Sequence, residues 1–237
     1  AEFLARGGIA EDLYRVLNKY LHKLKGGLAL STTIACTIFA ALCGSSPATA
    51  AAIGRISVGS MTKRGYDSSF AIGTVAGGGT LGIMIPPSIT FVTFGILTET
   101  SIAKLLMAGL LPGIMLSALM CVSIIIRVRL NPSLIGETKK AVAAAKDRHQ
   151  AKMAEEAAQP ATVKIDEPLD QRTTLGQDLM LAVPAFVLII VVLGAMYTGI
   201  ATATESAGFG ANCALFIPLL PRPFEVPPFS QSLQATP

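Results

Sequence analysis

Charge is what this sequence has least of. Only 14% of its 237 residues are Asp, Glu, Lys or Arg, against about 25% in an ordinary soluble domain. Whole stretches carry none, namely 26–54, 68–98, 105–126 and 179–204. Each exceeds the roughly 20 residues that a membrane-spanning helix needs, and the mean hydropathy of +0.58 agrees. The composition is that of a membrane protein, not of a soluble domain. The formal net charge of +4 is small. Its Lys and Arg residues gather at the ends of the uncharged runs, where they report membrane orientation rather than nucleic-acid binding.

Side chains for catalysis or metal binding are equally scarce. The four cysteines, Cys36, Cys43, Cys121 and Cys213, lie in apolar runs with no C-x-x-C and no paired-histidine spacing. They read as small buried hydrophobes. The two histidines, His22 and His149, sit in polar segments far apart. Acids adjoin serines of the membrane runs only at the edges of those runs, as Glu205 does next to Ser206. The expectation is therefore a protein that is not an enzyme, with no catalytic residues, no metal site beyond an alkali cation and no organic cofactor. Neither a signal peptide nor an internal repeat is recognisable. The chain begins Ala1-Glu2-Phe3 and ends in Pro-rich text, which suggests a piece of a larger protein.

What is present is glycine and proline where a plain spanning helix would carry Leu and Val. The stretch Ala76-Gly77-Gly78-Gly79-Thr80-Leu81-Gly82-Ile83-Met84-Ile85-Pro86-Pro87-Ser88 lies inside an uncharged run. In a helix each Gly costs about 1 kcal/mol and each Pro about 3. Broken backbone at membrane depth is tolerated only where protein shields it or where it lines a cavity. The stretch is thus either a binding site or a packing device. Gly77, Gly79 and Gly82 fit G-x-G-x-x-G, but Pro86 and Pro87 and the membrane setting rule against a dinucleotide fold.

The remaining segments follow in order. Apolar residues at Ile9, Leu13, Val16, Leu17, Tyr20, Leu21 and Leu24 have helical spacing. Residues 1–25 are too charged to span, so an amphipathic helix lying in the interface is expected. The run 26–62 is interrupted at Gly44-Ser45-Ser46-Pro47, and both its flanks are basic. Its first limb, about 16 residues, rises only about 24 Å, short of the roughly 30 Å hydrocarbon thickness. A re-entrant hairpin with Ser46 as N-cap and Pro47 in the first turn accounts for this. A single kinked span is the alternative.

Residues 68–98 read as a discontinuous transmembrane helix, with half-helices at 68–76 and 87–97 and unwound chain between. Residues 105–126 read as a conventional span, kinked near Pro112, returning to Arg127 and Arg129. Residues 127–177 form a long cytoplasmic loop containing a helix at 137–158. A further span covers 179–197, another membrane helix begins at 206–220, and 221–237 is an unstructured tail.

Two broken elements imply chemistry. Each break leaves free carbonyls at a helix C-terminus and free N–H groups at an N-terminus. The carbonyls suit a hard monovalent cation such as Na⁺, and the N–H ends suit a carboxylate. Secondary transporters bring ion and anionic substrate together in this way near the midplane. The cation-binding candidates are Gly44, Ser45, Ser46, Gly78, Gly79, Thr80 and Pro86. The substrate-facing candidates are Ser46, Thr49, Pro87 and Ser88. Glycines serving tight helix packing alone are the alternative.

These residues carry a resemblance. Gly26-Gly27-Leu28-Ala29, Cys43-Gly44-Ser45-Ser46-x-Ala48-Thr49-Ala50 and Lys63-Arg64-Gly65-Tyr66-Asp67 are similar to motifs of one family. So are Gly78-Gly79-Thr80-Leu81-Gly82-Ile83-x-Ile85-Pro86-Pro87-Ser88, Gly95-Ile96-Leu97-Thr98 and Ala108-Gly109-Leu110-Leu111-Pro112-Gly113. The chain resembles the large membrane subunit of tripartite ATP-independent periplasmic (TRAP) transporters. The match is dense over 6–129 and looser over 179–220. Cys43 stands where the family usually has Ser, and Ala203 where it has Pro.

The resemblance implies an all-α membrane protein, the first repeat of an inverted-repeat, elevator-type transporter, with 178–220 starting the second repeat. It implies Na⁺-coupled import of an organic acid, a C4-dicarboxylate or another carboxylate, across the bacterial inner membrane. It also implies a small membrane subunit and a periplasmic substrate-binding protein as partners, and no nucleic acid. The opening helices and most of the second repeat, which the family's transport site also uses, are not in this sequence. A binding-protein-independent Na⁺/carboxylate symporter and a non-transporting membrane scaffold are the competing readings.

Overall fold

The computed structural model describes residues 9–135, together with Val183, Val187, Ile190, Val191, Gly194, Ala195 and Glu205, which are helical. The expectations for 1–8, the loop and helix within 136–177, most of the span at 179–197, the segment 206–220 and the tail 221–237 lie outside the described residues. Among the described residues there is no strand.

Over residues 9–135 six helices follow one another. They are α1 (Ile9–Leu21), α2 (Gly27–Cys43), α3 (Ser46–Lys63), α4 (Ser68–Thr80), α5 (Ile89–Leu97) and α6 (Ile102–Leu130). Short 3-10 turns at Leu81–Ile83 and Pro132–Ile135 follow α4 and α6. Helix α2 is the hub, packing against α1, α3, α4, α6 and the Leu81–Ile83 turn. Its Ala29, Ala35, Cys36, Phe39 and Ala40 are fully buried. Small side chains let the neighbouring backbones close in.

The ends of the helices explain their order. Helix α3 closes in a Schellman motif: Tyr66 N–H donates to the Met61 carbonyl at 3.1 Å and Gly65 N–H to that of Thr62 at 3.0 Å. Gly65 takes the left-handed conformation, φ 86°, that this closure requires. Asp67 then caps α4, its carboxylate accepting from Phe70 N–H at 2.9 Å. The chain reverses within four residues and lays α4 along α3.

Several boundaries differ from the expectation. Helix α4 continues through Gly77, Gly78 and Gly79 to Thr80 instead of ending at Ala76. A β-carbon on Gly78 would lie 2.9 Å from Cys36 Sγ, and one on Gly79 would lie 2.8 Å from Ala50 Cβ. The helix persists there because close packing on α2 and α3 offsets the low intrinsic propensity of glycine. The N-cap of α3 is Ser45, one residue before the Ser46 expected from the sequence.

On α1 the buried face is Ile9, Ala10, Leu13, Tyr14 and Asn18, while Tyr20 and Leu24 are exposed. Tyr14 and Asn18 are one turn apart, so they share the stripe of Ala10 that packs inward. Helix α6 outruns the expected 105–126 at both ends, because Lys104, Arg127 and Arg129 are good helix formers.

Helix α6 is the described helix long and apolar enough to cross a membrane. Its 29 residues rise about 43 Å, more than the roughly 30 Å of hydrocarbon. One face, Leu106, Gly109, Gly113, Ser117, Ile124 and Val128, is buried. The other exposes Met107, Leu111, Ile114, Leu119, Val122 and Ile126. Pro112 lies within it and removes one ladder hydrogen bond.

Most buried Ser and Thr hydroxyls are satisfied inside their own helices. Ser31, Thr32, Thr33, Ser57 and Thr74 each donate to the carbonyl four residues earlier at 2.8–3.1 Å. One hydroxyl pair crosses between helices, Thr37 Oγ1 and Ser117 Oγ at 2.6 Å. Thr37 already donates to the Thr33 carbonyl at 2.8 Å, so Ser117 is the donor to Thr37. A double-mutant cycle on Thr37→Val and Ser117→Ala should give a coupling of about 0.6 kcal/mol and no more than about 1.7, read from thermal unfolding in detergent. Strict additivity would show that the contact contributes nothing.

Candidate functional site

The two breaks meet. Gly44 ends α2 with φ 62° and ψ 15°, its N–H donating to the Ala40 carbonyl at 2.9 Å. A β-carbon there would collide with the Pro87 carbonyl oxygen and lie 3.5 Å from Ser88 Cα. The Gly44 carbonyl accepts from Ile89 N–H, the first residue of α5, at 3.3 Å. On the other side of the tip, a β-carbon on Gly82 would lie 2.7 Å from the Ser45 carbonyl and 2.8 Å from Ser46 N. The turn at 44–46 is thus seated between the Leu81–Ile83 turn and the Pro87-Ser88 pair. Ile85, buried, presses its side chain on Gly113 of α6 from behind.

The candidate residues do not all converge. Gly44, Ser45, Ser46, Pro87 and Ser88 are brought together at this seat. Gly78 and Gly79 lie away from the tip, against Cys36 and Ala50. Thr49 is fully buried, its Oγ1 donating to the Ser45 carbonyl at 2.8 Å, so it fixes the tip from behind. Thr80 is exposed and donates to the Gly77 carbonyl at 2.6 Å. Pro86 is buried and joined to Pro87 by a cis peptide.

Sequence reasoning left Gly82 out of the site, although it touches Ser45 and Ser46 most closely. Its position in the G-x-G-x-x-G string was the available signal. The Ile83 carbonyl was also missed; it accepts from Ser88 Oγ at 2.7 Å and ties the break together.

Backbone groups carry the chemistry. Neither Ser45 nor Ser88 caps its helix through its side chain. The first-turn N–H groups of α3 at Ser46 and Ala48, and of α5 at Thr90 and Phe91, are therefore not met by a cap. Among the described residues the carbonyls of Met84, Ile85, Pro86 and Pro87 accept no hydrogen bond. Such oxygens fit a hard cation, which binds carbonyl and hydroxyl ligands without needing a buried carboxylate. Among the described residues no three His, Cys, Asp or Glu side chains gather as metal ligands. A cation here would thus be held by neutral oxygen.

Residues 1–231 match the family model described as "Tripartite ATP-independent periplasmic transporter, DctM component". The chain belongs to the DctM family. Its relatives include the C4-dicarboxylate TRAP transporter large permease protein DctM of Pseudomonas aeruginosa, 36% identical over 220 residues, which cover 92% of this chain and 44% of that protein. A second is the ectoine/5-hydroxyectoine TRAP transporter large permease protein UehC of Ruegeria pomeroyi, 40% identical over 119 residues, 50% of this chain and 28% of that protein. A third is the isethionate TRAP transporter permease protein DctMQ of Oleidesulfovibrio alaskensis, 43% identical over 113 residues, 48% of this chain and 18% of that protein. The chain spans less than half the length of these relatives. All three are named as permeases.

The seat at Gly44 can be probed through its neighbour Cys43. In a chain with Cys36, Cys121 and Cys213 replaced by Ala, Gly44→Ala should speed maleimide labelling of Cys43 by about tenfold or more. The left-handed backbone costs a side chain about 1–2 kcal/mol, and the collision with Pro87 adds to it. Unchanged labelling would mean that the tip does not depend on this contact.

Proposed function

We propose that this chain supplies the first repeat of a Na⁺-coupled permease that imports an organic acid. In this reading 26–62 is a re-entrant hairpin, 68–98 is a discontinuous transmembrane helix, and both belong to an inverted-repeat, elevator-type transporter in the bacterial inner membrane. The observation that carries it is the direct seating of the Gly44–Ser46 tip on the Gly82 and Pro87-Ser88 backbone.

The carbonyls at 84–87, with Gly44, Ser45, Thr80 and Pro86, form one half of a Na⁺ site, and Gly78 and Gly79 support it by packing the end of α4 on α2 and α3. The N–H ends at Ser46 and Ser88, with Pro87 beside them, face the substrate carboxylate, and Thr49 holds the Ser45 carbonyl from behind. That carboxylate is stabilised chiefly by the positive end of α3, because the Gly44 carbonyl largely offsets the positive end of α5. The remaining half comes from the second repeat. Relatives are named for C4-dicarboxylate, ectoine and isethionate, small polar organic molecules that share an acidic group, and this supports an organic-acid cargo. A small membrane subunit and a periplasmic binding protein complete the transporter; one relative carries the fused name DctMQ.

The test is Na⁺-gradient-driven uptake into proteoliposomes by the complete parent protein with its partner subunits. A C4-dicarboxylate is the first cargo to try. Thr80→Val and Gly79→Leu should each reduce uptake by about tenfold or more, the effect of losing a ligand worth about 1.4 kcal/mol or of overpacking a close helix contact. The Na⁺ concentration for half-maximal uptake should rise in Thr80→Val. Undiminished uptake in both variants would remove these residues from the site.

A further inference from the structure

At the end of the bundle away from the hairpin tip, three separate elements bring their basic residues to one place. Gly26, between α1 and α2, packs on Val128 of α6: a β-carbon on Gly26 would lie 3.0 Å from a Val128 methyl. Lys25 is the next residue to Gly26. Arg127 and Arg129 each lie about 100° around the helix from Val128, so they flank the contact on both sides, and both are exposed. The third element is the end of α3. Tyr66 reaches the backbone of Leu28, two residues beyond Gly26, and the Arg64 charge acts on the Tyr66 phenol. Arg64, Lys63 and Lys23 are exposed at the same end.

Asp67 is the acidic residue on these connecting segments. Its carboxylate is engaged as the α4 cap, accepting from Phe70 N–H at 2.9 Å. Basic residues outnumber it on these segments, and they are set where the apolar stripe of α6 ends at Ile126 and Leu130.

We propose that Lys23, Lys25, Arg64, Arg127 and Arg129 form a binding site for the headgroup of an anionic phospholipid. The acyl chains lie along the exposed Val122, Ile126 and Leu130 stripe of α6, and the phosphate sits between the arginines that flank Val128. Arg suits this role, because its planar fork pairs bidentately with phosphate oxygens. Basic pockets between membrane helices on the cytoplasmic side bind such headgroups. Orientation by the positive-inside rule needs Lys and Arg in the loops, but not their convergence on one interhelical contact. The proposal rests on α6 spanning the membrane and is independent of what the permease carries.

The test uses the full chain extracted from membranes in mild detergent and incubated with equal amounts of phosphatidylglycerol and phosphatidylethanolamine. Bound lipid is read by native mass spectrometry. Phosphatidylglycerol should be enriched, and the enrichment should fall roughly fivefold for each charge removed in Arg64→Gln, Arg127→Gln and Arg129→Gln. A control triple, Arg15→Gln, Arg55→Gln and Lys104→Gln, changes the net charge equally and should keep the enrichment. Absence of enrichment in the unmodified chain, or equal loss in the control triple, overturns the site. Carbonate extraction separates the premises. A chain released by carbonate overturns the spanning helix and the lipid site together, whereas an embedded chain without preference overturns the lipid site alone.

Discussion

Everything at the centre of this molecule depends on one backbone contact with no room in it. The carbonyl of Pro87 occupies the space where any residue but glycine at position 44 would place its β-carbon. The same residue must also adopt a left-handed φ of 62° to end α2. Two independent demands, one steric and one conformational, fall on a single position. Once they are met, the hairpin tip is held against the break after α4, and Gly82 closes the other side by the same lack of a side chain. The path of α3, the placing of α5 and the support from Gly113 on Ile85 all follow from that seat.

The helix bundle that carries the seat is polar inside without being charged. Buried Ser and Thr residues spend their protons on the carbonyls of the preceding turn. They therefore place oxygen lone pairs in the interior at little desolvation cost. This suits a binding place for a small cation better than a carboxylate would. A buried acid without its ion is costly and shifts to its neutral form, while a carbonyl keeps its dipole whether or not a cation is present.

Much of this was legible in the amino-acid order. The break at Gly44-Ser45-Ser46-Pro47 announces itself, since Gly ends helices and Ser-Pro starts them. The Pro86-Pro87 pair likewise forces an interruption between α4 and α5. Less visible was the persistence of α4 to Thr80, because intrinsic propensity counts each glycine as a penalty and knows nothing of Cys36 and Ala50 across the interface. The inward turn of Tyr14 and Asn18 was hidden by ranking apolar residues alone, which favoured Tyr20 and Leu24. The Thr37–Ser117 bond joins residues 80 positions apart, and no local pattern points to it. Gly82 was seen but read for what it could not be, a phosphate loop, before what it is, a landing place for the tip.

The hydrogen bond from Ile89 N–H to the Gly44 carbonyl has an electrostatic meaning of its own. It splices the C-terminus of α2 to the N-terminus of α5, so the negative end of one helix dipole is quenched by the positive end of the other. Two of the four helix ends at the centre are thereby largely silent. What remains unquenched is the N-terminus of α3 at the tip and the carbonyl-rich C-terminal chain after α4. The field at the seat is thus a single oriented dipole, positive at Ser46 and negative toward Pro86, made from two helices of the same chain that were never continuous in sequence.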